Sequence, residues 1–128
     1  MKRTGILNPA LSHLLASTGH TDYFTICDRG FPVPEGPERI DLALTDNIPT
    51  VLDVLRAVMA EWSADRVLVT YEMEEISPCR LAELRELLGD LPQERVSHAQ
   101  LKRLAQHARA TVRTGDTVPY ANIILVSG

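Results

Sequence analysis

Apolar residues recur along this chain with two different spacings, and each spacing predicts one type of element. A spacing of three and four residues predicts two central helices, whose apolar stripes are Val51, Leu52, Leu55, Val58, Met59 and Trp62, and then Leu81, Leu84, Leu87 and Leu88. Short β-branched or aromatic runs predict strands at residues 23–27, 40–44, 66–71, 95–96, 110–113 and 122–126. Strands and helices are therefore expected to alternate.

Local signals set the expected ends of the helices. Asn8 and Pro9 supply an N-cap and a first-turn proline for a helix over 10–16 that Gly19 closes. The start of the second helix is expected at residues 47–49, that of the third at 77–78, and the last helix is expected over 99–109 with Ser97 as N-cap. Residues 29–37 carry three prolines and two glycines, which predicts a loop.

The alternation of strands and helices predicts the fold class. With 128 residues the chain is expected to form a single α/β domain, a mixed and mostly parallel sheet flanked by helices in Rossmann-like layers. Ligands of such sheets gather at the carboxyl ends of the strands. The strand at 23–27 delivers Asp28 to that edge.

Composition narrows the possible partners. A net charge of −4, with a single lysine after residue 2, argues against nucleic acid. No apolar run approaches the roughly 20 residues that cross a bilayer, and polar residues interrupt the N-terminal segment where a signal peptide needs apolar ones. A cytoplasmic protein without membrane partners is therefore expected. Cys27 and Cys79 have neither disulfide nor zinc spacing and predict free thiols.

Polar clusters at the two ends of the chain suggest a site. Gly19-His20-Thr21-Asp22 and Cys27-Asp28 flank the first strand, and Pro119-Tyr120-Ala121-Asn122 precedes the last strand. If these strands lie together, His20, Asp28, Tyr120 and Asn122 converge on one pocket. An imidazole, a carboxylate, a phenol and a carboxamide suit a polyhydroxyl ligand.

The four histidines have different contexts. His13 and His107 are expected inside helices, where surface roles are the simplest interpretation. His20 follows a helix-ending glycine in a tight connection, and His98 stands at a strand-to-helix junction, so both are candidates for proton transfer. Motifs for a catalytic serine, for nucleotides and for metals are missing, and the acidic run at residues 72–75 is interpreted as solvated surface. Acid/base chemistry without a cofactor remains.

Several longer strings carry a family resemblance over almost the whole chain. Gly19-His20-Thr21-Asp22, Cys27-Asp28-x-Gly30-x-Pro32-x-Pro34, residues 39–45, residues 112–115 and residues 119–125 resemble the D-ribose pyranase / L-fucose mutarotase family. The resemblance implies that His20 is the proton donor and that the sugar-binding residues are Asp28, His98, Tyr120, Ala121 and Asn122. It also implies ring-shaped homo-oligomers, pentamers or decamers, with sites completed at subunit contacts.

Three functions remain open for a chain with this resemblance. The first is interconversion of the pyranose and furanose forms of D-ribose, with His20 protonating the ring oxygen during ring opening. The second is mutarotation of L-fucose or another monosaccharide through the same opening. The third is a non-catalytic sugar-binding module linked to pentose transport, which would tolerate loss of His20. Arg29 departs from the small residue that members carry there, which places a change at the pocket rim.

Overall fold

One six-stranded sheet with helices on both faces forms the molecule. A computed structural model describes all 128 residues. In chain order its elements are α1 (Pro9–Ser17), β1 (Tyr23–Cys27), β2 (Glu38–Asp41), α2 (Val51–Met59), β3 (Ala64–Thr70), α3 (Tyr71–Ile76), α4 (Pro78–Leu88), β4 (Gln93–Val96), α5 (His98–Ala105), β5 (Ala110–Arg113) and β6 (Ile123–Ser127). No helix has the length and apolar character to span a membrane.

The strand order is β2-β5-β1-β6-β3-β4, and β6 alone runs against the others. The predicted single domain with a mixed, mostly parallel sheet is thereby confirmed. Five carboxyl ends and the amino end of β6 lie at one edge, which we call the carboxyl edge. The opposite edge, where β1 begins and β6 ends, is the amino edge. This topology determines which polar residues can meet.

Alternating side chains along the strands supply two separate cores. Phe24, Ile26 and Leu125 point to the larger core, where α1, α2, α3 and α4 bury their apolar residues. Ile124 and Val126 point to the smaller core, which α5 and Phe31 cover. The strands are apolar on both faces because helices and the 29–37 loop cover both.

On the side of the larger core, two element boundaries differ from the expected ones. The second strand covers Glu38–Asp41 rather than 40–44, because the Asp41 side chain accepts the Ala43 amide at 3.1 Å and turns the chain. The second helix begins at Val51 rather than at 47–49. Thr50 forms its capping box, whereas Asn47 lies in a left-handed turn at φ 62.

The ends of β3, α5 and α2 also differ from those expected. The third strand stops at Thr70, whose hydroxyl caps the short helix α3, so Tyr71 and the acidic run 72–75 are helical. The last helix ends at Ala105, which leaves His107 outside it and exposed. Trp62 lies beyond α2 but still packs edge-on against Phe24, with ring centroids 5.2 Å apart. Long-range packing decides these ends, and local patterns do not record it.

Candidate functional site

The carboxyl edge joins two of the expected site residues through the pairing of β1 with β6. The Asp28 backbone N–H donates to Asn122 Oδ1 at 2.8 Å. Asn122 is buried, and the half-buried Asp28 carboxylate accepts the Gly30 amide at 3.0 Å. Adjacent antiparallel strands put the end of one beside the start of the other, so residues 94 positions apart become partners.

Burial changes the chemistry of the end of β1. Desolvation raises the pKa of the Asp28 carboxyl, while hydrogen bonds involving Gly30, Asn122 and Phe31 act in the opposite direction. A carboxylate with few water contacts is a strong acceptor for a ligand hydroxyl. Burial also raises the pKa of the preceding Cys27 thiol to about 12, which excludes a thiolate nucleophile at neutral pH.

His98 is the first residue of α5, at the end of the neighbouring β3–β4 pair. Its ring stands edge-to-face with Tyr120 at a centroid distance of 5.0 Å and with Phe31 at 6.0 Å. Burial first, and Lys102 second, lower its pKa, which Glu72 and Asp28 partly offset. A neutral imidazole can both donate and accept a hydrogen bond.

Tyr120, Ala121 and Asn122 lie on the loop that enters β6. Tyr120 adopts the left-handed conformation at φ 60, and its carbonyl accepts the Asn122 amide at 2.8 Å. The Ser77 hydroxyl donates to the Pro119 carbonyl at 2.7 Å and holds the loop against the start of α4. The Ala121 side chain is fully buried, so only its backbone can contribute to ligand binding.

A buried ion pair that sequence reasoning missed anchors this loop. The fully buried Asp116 carboxylate accepts Arg80 Nη2 at 3.2 Å, the Val51 amide at 3.0 Å and the Val118 amide at 2.9 Å. It therefore joins α2, α4 and the loop before Tyr120. The sequence contains a signal for the burial of Arg80, because this residue precedes Leu84 by four positions and lies on the buried stripe of α4.

His20 does not reach the carboxyl edge of its own chain. It precedes β1, and the Thr21 amide donates to the Ser127 carbonyl at the amino edge. The five residues of β1, spanning about 13 Å at strand spacing, separate this edge from Asp28. The expected convergence of His20 with Asp28, Tyr120 and Asn122 in one chain is therefore wrong, because His20 and Asp28 lie beyond opposite ends of β1.

The turn that carries His20 is nevertheless well defined. Asp22 accepts the Gly19 amide at 2.8 Å and pairs with Arg109 at 3.3 Å. Thr21 is left-handed at φ 71, and the His20 side chain is exposed. The turn presents an imidazole outward, away from the chain's own carboxyl edge.

The surface around the candidate site is open. Four clefts indent the chain, and none is lined by Asp28, His98, Tyr120 or Asn122. A cleft of about 380 Å³ beside α5 includes Lys102, and one of about 260 Å³ includes Arg29, which pairs with exposed Asp46 at 2.7 Å. Arg29 thus lies beside the site, as its position after Asp28 indicated. No group of three or more His, Cys, Asp or Glu residues is placed to hold a metal ion.

The carboxyl edge therefore combines four kinds of polar group around two aromatic rings. Asp28 offers a carboxylate, His98 an imidazole, Tyr120 a phenol and Asn122 a carboxamide, and the Tyr120 and His98 rings stand at 89° to one another. These groups can bind several hydroxyls of one small ligand at once. The ring opening of a sugar also needs a proton donor, and the exposed His20 lies at the other edge.

The chain is similar to known proteins over its whole length. Residues 1–128 match the model of the RbsD / FucU transport protein family. A D-ribose pyranase of Coprothermobacter proteolyticus is 48% identical over 128 residues, covering 100% of this chain and 98% of the relative. One of Clostridium tetani is 44% identical with the same coverage.

Two solved structures show the range of structural likeness. Bacillus subtilis RbsD complexed with D-ribose has a TM-score of 0.95 at 38% identity, covering 100% of this chain and 98% of that one. The fucose mutarotase of Streptococcus pneumoniae in complex with L-fucose has a TM-score of 0.76 at 19% identity, covering 95% and 93%. The second likeness concerns the fold alone.

Proposed function

The chain belongs to the RbsD / FucU transport protein family over residues 1–128, and we propose on that premise that it is a D-ribose pyranase. This enzyme is an isomerase that interconverts the pyranose and furanose forms of D-ribose. The observation that carries the proposal is its identity of 39–48% to D-ribose pyranases over the whole chain. The TM-score of 0.95 to a D-ribose complex supports the same sugar.

In the proposed mechanism the carboxyl edge binds the sugar. The Asp28 carboxylate accepts hydroxyl hydrogens, the Asn122 carboxamide and Tyr120 phenol bind further hydroxyls, and Ala121 contributes backbone. His98, which is neutral at physiological pH, either binds the anomeric hydroxyl or relays its proton. Ring opening requires a proton on the ring oxygen and loss of one from the anomeric hydroxyl. A different hydroxyl then attacks the aldehyde and closes the other ring.

His20 supplies the ring-oxygen proton in this proposal, and it does so from a second copy of the chain. Three features support that arrangement: His20 is exposed, it lies at the amino edge, and no cleft of the single chain encloses the carboxyl edge. A head-to-tail contact places the amino edge of one subunit on the carboxyl edge of the next, and repetition of that contact closes a ring. A pentamer or a decamer of two rings fits the family resemblance.

Magnetisation-exchange NMR on the anomeric protons of D-ribose tests the function. Protein-dependent exchange between pyranose and furanose signals is expected for the wild type and not for His20→Ala. Exchange restricted to the α and β signals of one ring size would replace the proposal with mutarotation. Ribose binding without exchange in the wild type would establish a binding module. Location in the cytoplasm belongs to the proposal, and cell fractionation tests it.

A further inference from the structure

Glu72 contacts the candidate site residue His98 through its backbone. The two oxygens of the Glu72 carboxylate accept the His98 amide at 3.1 and 3.0 Å. The register explains the contact, because Thr70 of β3 lies opposite Val96 of β4. The residues that follow these strands start α3 and α5 side by side, which brings Glu72 to the first residue of α5.

The N-cap residue of α5 does not satisfy the His98 amide, which is one of the four N–H groups at the helix start that lack an intrahelical partner. Ser97 is the N-cap of α5, and its hydroxyl already accepts the Gln100 amide at 3.1 Å. Glu72 instead binds the amide of the residue that carries the imidazole. It also adds a negative charge at the helix N-terminus, where the backbone dipole favours one.

The His98 ring has no polar tether of its own within the chain. Its Nδ1 is buried and makes no hydrogen bond to a protein group, whereas positioned histidines commonly use the second ring nitrogen for orientation. Its aromatic neighbours are Tyr120 and Phe31, edge-to-face. The backbone bond to Glu72 therefore holds the main chain from which this ring projects, while the two aromatic rings contact the imidazole itself.

We propose that Glu72 is a positioning residue, which holds His98 at the sugar site by binding its amide with both carboxylate oxygens. The effect of Glu72 on catalysis rests on the proposed function. Glu72 itself does not touch the sugar. Its loss displaces the imidazole relative to Asp28 and Tyr120, and displacements near 1 Å can cost up to about a hundredfold in rate.

The charges that face His98 make the proposal testable by titration. Glu72 on α3 and Asp28 after β1 favour the imidazolium, whereas Lys102, one turn along α5, opposes it. The fourth group facing the ring is the Tyr120 phenol. Removal of the Glu72 charge is expected to lower the His98 pKa further, and removal of the Lys102 charge to raise it.

Four variants distinguish a positioning role of Glu72 from a role in folding stability alone. Glu72→Ala removes both acceptor and charge, Glu72→Gln keeps one acceptor oxygen, and Lys102→Gln removes the opposing charge. Glu75→Gln is the matched control, because exposed Glu75 is on the same helix and takes part in no ion pair or hydrogen bond. Each is examined by ribose exchange kinetics and by NMR titration of the imidazoles, with His98→Gln assigning the His98 signal.

We expect Glu72→Ala to raise KM for D-ribose about tenfold and Glu72→Gln to recover most of the loss. The His98 titration should move to lower pH in Glu72→Gln and to higher pH in Lys102→Gln, with Glu75→Gln unchanged. An unchanged His98 titration in both Glu72 variants would overturn the inference, as would Glu75→Gln behaving like Glu72→Ala. If Glu72→Ala does not fold, Glu72→Gln decides. Absence of exchange in the wild type would contradict the proposed function alone, because the titration needs no turnover.

Discussion

The two edges of the sheet hold their polar residues in different ways. At the carboxyl edge, Asp28 and Asn122 are joined by a 2.8 Å bond, and the loop behind them is anchored by the buried Arg80–Asp116 pair. At the amino edge, His20 is exposed on a turn whose Asp22 carboxylate accepts the Gly19 amide and pairs with the exposed Arg109. One edge gathers polar groups on an anchored loop, whereas the other presents a side chain outward.

In the proposed function, the two edges act on each other in separate copies of the chain. The carboxyl edge supplies the sugar-binding groups of that proposal and the amino edge supplies the donor of the ring-oxygen proton, so the two edges complement one another. The proposed head-to-tail association would bring them together, whereas folding of one chain leaves them at opposite ends of β1.

Mixed oligomers provide the test with the largest expected effect. His20→Ala and Asp28→Asn should each lose about 10² to 10⁴ of the exchange rate, since each removes one half of the site. Unfolding and refolding the two variants together should restore activity at about a quarter of the sites, because an intact His20 then meets an intact Asp28. Activity that stays at the level of the separate variants would show that both residues act from one chain.

The second largest effect is expected when the Arg80–Asp116 ion pair behind the carboxyl edge is removed. Asp116→Ala leaves the Arg80 charge buried without its partner and is expected to lower the free energy of unfolding by about 3–5 kcal/mol in urea titrations. Asp46→Ala is the control, because the Arg29–Asp46 pair is exposed and should contribute only about 0–1 kcal/mol. Equal effects of the two substitutions would contradict the difference in burial.

Loss of the bond between β1 and β6 should have a smaller effect. Asn122→Ala removes the acceptor of the Asp28 amide and is expected to cost about 1–3 kcal/mol of unfolding free energy. It should also raise KM for D-ribose, since the carboxamide leaves the site. Gln100→Ala serves as a comparison, because this exposed carboxamide on α5 makes no side-chain hydrogen bond. Wild-type KM in Asn122→Ala would remove this residue from the proposed site.

The pH dependence of stability is the smallest expected effect. The folded pKa of His98 lies below its ordinary value of 6.5, so the unfolded chain binds more protons between the two values and stability rises with pH there. The folded pKa of Asp28 lies above 3.8, so its contribution is present below that value and is lost as pH rises through the folded pKa. Urea titrations across both windows should show the His98 slope vanish in His98→Gln, and an unaltered slope would contradict the burial of this ring.

Much of the fold could be predicted because its signals are local. The strand at 23–27, the apolar stripe of α4 and the Asn8-Pro9 helix start are each determined by residues a few positions apart. The start of α2 was missed because its Thr50–Asp53 capping box follows a turn that resembles a helix start. Whether α5 continued to His107 also depended on packing rather than on spacing.

The site separates into local and long-range parts in the same way. Sequence by itself determined the types of all elements except α3, the position of Asp28 at a strand's carboxyl end and, through resemblance, the sugar-binding candidates. Only the tertiary structure decided that His20 lies at the opposite edge, that Arg80 pairs with Asp116 and that Glu72 binds His98. The residues of these two pairs lie 36 and 26 positions apart, and Asp28 lies 94 positions from its partner Asn122. Hydrophobic periodicity records which face of an element is buried, but strand order decides which distant residues meet there.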